Sequence, residues 1–138
     1  MKTNKFGYSF KEELANTVTH SLGFFLSLVG AFFIIFDSVN LYLYNQKDLI
    51  YIVSASIFSI SLLLMYASSS FYHGIKSNKI KAVLQKLDHC AIFILIAGSY
   101  TPFTLITLSG SGGFSLFIFV WTLTAVGILI ETFPFKNS

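Results

Sequence analysis

Apolar residues gather into four long stretches, at about 19–39, 49–71, 87–108 and 114–130, with short polar segments between them. A helix rises 1.5 Å per residue, so about 20 residues cover the ~30 Å of bilayer hydrocarbon. The stretches show no strict alternation and are about twice the length of a barrel strand. Lipid offers backbone amides no partner, so helices are required. The pattern predicts an all-α fold, an integral membrane helical bundle formed as one unit over residues 1–138.

The polar segments set the connections. Residues 1–12 read as a soluble lead-in. Asp37, Asn40, Asn45, Gln46 and Asp48 mark a short aqueous loop, and Ser109–Gly113 reads as an uncharged turn. Residues 74–86 form a basic connection. Within it Ile80, Val83, Leu84 and Leu87 recur at helical spacing opposite Lys79, Lys81 and Lys86, which predicts a short helix lying along the interface. Pro102, after the small Gly98 and Ser99, predicts a kink and a close helix approach. Tyr42, Tyr44 and Tyr51 fit an aromatic belt at the outer interface.

Composition agrees with a lipid-facing chain. The 138 residues are 54% hydrophobic and only 11% charged, and the mean hydropathy is +0.73. All nine basic residues are lysine, giving a net charge of +3. They gather at the ends of the apolar runs rather than on one basic face, which argues against nucleic-acid binding. Lys2, Lys5 and Lys11 precede the first run, four lysines lie in 74–86 and Lys136 follows the last, against Lys47 alone on the other side. Both termini are therefore expected in the cytoplasm, with the protein in the plasma membrane. No cleavage site follows the first run, so it is expected to be a retained span and not a signal peptide. The lone Cys90 reads as a core residue, since nothing around it in the sequence activates it.

Few side chains here could do chemistry, and orientation brings most of them to the cytoplasmic side. Glu13, Asn16 and His20 form one stripe on a helix entering the membrane. That stripe is either a hydrogen-bonded strip that orients a site or an ordinary polar helix start with acids at the positive dipole end. Ser69 and His73, four apart, offer a metal-ligating imidazole beside a hydroxyl, or else an interfacial histidine with serines bonded to their own helix. Asp88, at the mouth of the third run and followed by His89, either has a partner or task there or is a helix-start carboxylate.

Together these residues resemble a family. The segments Glu13-Leu-Ala-Asn16-Thr-Val-Thr-His20, Ser69-Ser-Phe-Tyr-His73 and Leu87-Asp88-His89-Cys-Ala-Ile-Phe, the last running on to Gly98-Ser-Tyr100-Thr101-Pro102-Phe103, resemble the bacterial hemolysin III proteins. Those are relatives of the adiponectin and progestin receptors. The resemblance covers nearly the whole chain. It implies a seven-helix membrane protein, of which four helices are present here, with zinc near the inner leaflet. By that similarity His73 is a metal ligand, Asp88 holds the zinc-bound water, and Ser69 stands beside the site in a catalytic role. Glu13, Asn16, His20 and His89 would support it. The family's last helix carries a His-x-x-x-His pair that this sequence lacks, so the chain is expected to be a fragment or a prematurely ended reading frame.

Three functions compete. One is a zinc-dependent hydrolase of lipid amides or esters, with an acyl-lipid substrate suggested by likeness to a wider group that includes alkaline ceramidases. Another is a membrane-perturbing or pore-forming hemolysin, and the third a receptor-like membrane protein without catalysis. Membrane lipids are the expected partners in each. The zinc site is expected to be incomplete in this chain, so alone it should be metal-poor and inactive unless a homodimer pairs two copies of His73 around one ion.

Overall fold

The computed structural model describes residues 3–133; Lys2, Pro134 and Lys136, which entered the reading of the termini, lie outside that range. Four α-helices account for almost all of it: α1 Phe10–Asn45, α2 Ile50–Gly74, α3 Asn78–Pro102 and α4 Gly113–Thr132. Each is long and apolar enough to cross a membrane. The protein is an all-α membrane bundle.

Helix α1, with 36 residues, reaches roughly 54 Å and so extends well past the apolar run at both ends. It starts on a capping box, in which the Ser9 hydroxyl accepts from the Glu12 amide while the Glu12 carboxylate accepts from the Ser9 amide. It stops at Gln46, whose left-handed φ of 52° turns the chain away. Asp37 and Asn40, expected in an aqueous loop, lie inside α1. A helix satisfies its own backbone bonds whatever the side chain, so polar residues beyond the apolar core do not end it. The loop is only 46–49.

The basic connection is also shorter than expected. No separate interfacial helix exists there: α3 begins at Asn78 and runs unbroken through Leu87 to Pro102. One side chain of its first turns departs from the expectation, since Lys79 and Lys86 are exposed as a polar face requires and Lys81 is not. Ile80, Val83 and Leu87 are exposed, whereas Lys81 is buried. After Pro102 the backbone widens into a π-helical turn, Phe103–Thr107, where the Leu108 amide donates to the Phe103 carbonyl at 3.0 Å. The Thr104 hydroxyl, fully buried, donates to the Tyr100 carbonyl and helps satisfy the loosened ladder.

Helix α1 packs on α2, α2 on α3 and α3 on α4, with the π turn touching the last three; no other two described helices bring their backbones close, and α1 and α3 meet through side chains alone. The architecture is an open layer of antiparallel neighbours joined by short loops. The seams are made of small polar residues. Ser54, Ser61 and Ser68 recur every seven positions along α2 and are buried, while Phe25, Phe32, Phe33 and Ile60 face outward. That inversion is what a lipid solvent selects, because apolar tails give no hydrophobic drive for helices to associate and close contact must supply it. At the tightest point a Cβ on Gly98 would overlap the Ser61 side chain. Buried hydroxyls mostly return to their own helix, as Ser61 does to the Phe58 carbonyl at 2.7 Å. Cys90 is buried in α3, as expected of a core residue.

Candidate functional site

The polar groups converge where the start of α1, the end of α2 and the start of α3 meet. Glu13, in the first turns of α1, is the hub. Its Oε2 accepts from His73 Nδ1 at 2.7 Å, and its Oε1 accepts from Lys81 Nζ at 2.8 Å. The three side chains are 12%, 6% and 4% exposed. A carboxylate can only accept, so Nδ1 of His73 must carry the proton, and Nε2 is the nitrogen left for any further partner. Lys81 also donates to the Tyr72 carbonyl at 2.7 Å, one of the last-turn oxygens α2 cannot satisfy itself. Its ammonium sits 4.7 Å from the centre of the Tyr72 ring. One buried cation thus ties three helices together.

The lead-in residues are part of this site. Asn4 Oδ1 accepts from the Phe6 and Tyr8 amides at 2.9 and 3.0 Å, and Gly7 takes a φ of 88° that favours glycine. The resulting turn folds back over the cluster, and the Asn4 side-chain amide donates to Glu13 Oε1. Tyr8 meets the His73 ring edge-on with centroids 5.2 Å apart, and Phe6 meets Tyr72 the same way at 6.2 Å. The expected soluble lead-in is therefore a cover from residue 3 onward.

Deeper in the seam, His20 Nδ1 is hydrogen-bonded to the Ser69 hydroxyl, and Ser21 to Ser70 at 3.0 Å. His20 and His73 lie 5.9 Å apart between ring centroids. Asn16, half-buried on the same stripe of α1, takes part in none of these bonds. Asp88 is half-buried on α3 and lies within electrostatic reach of His20 and Tyr72, with no hydrogen-bond partner among the described residues. His89 is placed elsewhere: its Nδ1 bonds Glu131 Oε1 on α4 at 2.8 Å, at a half-exposed position. The structure thus brings together Glu13, His73, His20 and Ser69, leaves Asp88 on α3 without a bond to any of them, and separates His89.

Lys81 and the Tyr72 hydroxyl, buried with no hydrogen-bond partner among the described residues, are the groups that sequence reasoning missed. The signal for Lys81 was available. It precedes Asp88 by seven residues, two helical turns, so the two share a face of α3.

The fit to a zinc ion can be judged from donor chemistry. An imidazole whose Nδ1–H is held by a carboxylate, with Nε2 to spare, is the usual form of a ligating histidine. A structural or catalytic zinc takes three or four protein donors, and among the described residues no three His, Cys, Asp or Glu side chains are grouped to hold a metal. The described residues by themselves fall short of a zinc donor set.

Comparison with known proteins agrees with the motifs. A family model described as haemolysin-III related matches residues 8–138. The chain is 43% identical over 131 residues to a hemolysin-3 homolog of Bacillus subtilis (strain 168), covering 94% of this chain and 59% of that protein. It is 37% identical over 123 residues to hemolysin-3 of Bacillus cereus, covering 89% of this chain and 54% of that one. The chain spans a little over half the length of these relatives. With the family match running through the whole cluster from Tyr8 onward, this chain belongs to the haemolysin-III-related family.

Proposed function

We propose that this chain contributes one wall of a zinc-dependent hydrolase centre acting on acyl lipids, at the cytoplasmic leaflet of the plasma membrane. The observation that carries the reading is the Glu13–His73 bond, which fixes the tautomer of a buried imidazole and points its free nitrogen away from the carboxylate. His73 would hold the metal through Nε2. Bound zinc would supply Lewis-acid polarisation of a carbonyl. Lys81 and Asn4 keep the Glu13 carboxylate in place, so His73 cannot rotate freely. Asp88, half-buried on α3 with no hydrogen-bond partner among the described residues, would take a proton from water on a carboxylate oxygen. Ser69 orients His20 at the rear of the site. The remaining donors would come from sequence beyond this chain or from a second copy. Lysine asymmetry supports the cytoplasmic placement.

Half of a zinc site worth ~10–16 kcal/mol corresponds to a Kd of about micromolar to millimolar. Zinc titration of the purified chain against a chromophoric competitor should show affinity in that range, lost in His73→Ala and kept in His89→Ala. Equal behaviour of the two variants would remove the metal from the proposal. The relatives' name makes membrane lysis the alternative, and dye leakage from liposomes that persists in His73→Ala would favour it.

A further inference from the structure

A groove of about 580 Å³ opens beside the cluster, between α1 and the α2–α3 connection. Its floor includes Glu13, His73 and Lys81. One wall is apolar: Phe10 and Leu14 project from α1 and are 74% and 53% exposed, on a helix whose outer face is otherwise lipid-like. The opposite wall is Ile75, Lys76 and Asn78. Lys81 is neutralised by Glu13, whereas Lys76 is exposed and forms no ion pair with any described residue. The first turn of α3 adds to that positive mouth, having no acidic residue and no side-chain cap from Ser77. An apolar wall leading to an uncompensated cation at the end of a membrane helix suits a molecule with a tail and a negative head.

We propose that this groove binds an anionic phospholipid, with its phosphate at Lys76 and the upper part of an acyl chain along Phe10 and Leu14. The charge pattern selects among the candidates. A zwitterionic head would bring its own cation against Lys76, and a soluble anion would leave the apolar wall unused. Basic pockets at membrane-helix ends recognise headgroups by this combination. The inference rests on the groove alone and holds whether or not His73 binds metal.

The test uses the whole chain in mild detergent, with bound lipids counted by native mass spectrometry and unfolding followed by heating. Phosphatidylglycerol should bind and raise the unfolding midpoint, whereas phosphatidylcholine of the same chains should do neither to a comparable extent. Lys76→Gln should weaken phosphatidylglycerol binding about fivefold. Leu14→Ser should weaken it too, and Lys47→Gln, in the loop at the opposite end, should not. Equal binding of the two lipids, or equal losses in Lys76→Gln and Lys47→Gln, would overturn the proposal. So would inorganic phosphate reproducing the whole midpoint shift, which would make the groove a soluble-anion site. Lys76 is exposed, so its replacement leaves the fold intact and the comparison readable.

Discussion

Two histidine–glutamate pairs stand in this molecule at nearly the same distance, and they differ in everything else. His73–Glu13 is 2.7 Å long with side chains 6% and 12% exposed; His89–Glu131 is 2.8 Å long with side chains 46% and 32% exposed. The first has a buried lysine and an asparagine on the same carboxylate; the second joins α3 to α4 alone. Distance therefore says little about what a pair contributes. Burial raises the cost of leaving either partner alone, and the additional donors make the buried arrangement tolerable. An exposed pair gains little, because water competes for both ends.

The largest expected effect breaks that asymmetry directly. Glu13→Ala strands Lys81 and His73 in a buried site and should cost about 3–5 kcal/mol of unfolding free energy. Glu131→Ala should cost under about 1 kcal/mol. Denaturant titration of the purified chain in micelles measures both, and equal losses would refute the ranking. Burial without charge gives the next test. Gly98→Ala forces a Cβ into Ser61 and should cost about 1–3 kcal/mol, while Gly30→Ala, with open space around it, should be neutral or mildly stabilising. A thermal melt of the two variants separates them.

Coupling sharpens the comparison further. In the double variant Glu13→Gln, Lys81→Met both charges leave together, so its loss should fall short of the summed single losses by about 0.5–3 kcal/mol. Strict additivity in a double-mutant cycle would mean that Glu13 and Lys81 act independently. The smallest effect is ionic. Raising salt from about 0.1 to 1 M shortens the Debye length from ~10 to ~3 Å. It should erase any measurable His89–Glu131 coupling and leave the Glu13–His73 coupling almost unchanged.

These two pairs also mark what could be read from the residues themselves. Glu13, His20, Ser69 and His73 were legible because helical spacing puts each pair on one face and the motifs carry them together. Lys81 shares a face with Asp88 and is still easily passed over, because a lysine near a membrane surface ordinarily goes to water. The competing fact is that a lysine stem can turn inward when a carboxylate and a helix-end carbonyl wait for it, as Glu13 and Tyr72 do. His89 was grouped with Asp88 because they are adjacent. Neighbours on a helix point about 100° apart, and that rotation sends His89 to α4. Helix ends were the least legible feature, since Asp37 and Asn40 look like loop residues yet sit where a long helix passes beyond the apolar core.

The open layer has a consequence in time. Each helix brings its backbone close only to the neighbour made just before or after it, so a growing chain can dock every new helix as it leaves the ribosome, closing short loops of low entropic cost. One connection breaks that order. Glu13 is synthesised early, gains His73 sixty residues later, and meets Lys81 only after the α2–α3 turn has emerged. Until then α1 and α2 share a carboxylate with no strong cation, and the first turns of α3 act as the latch that fastens the preceding hairpin.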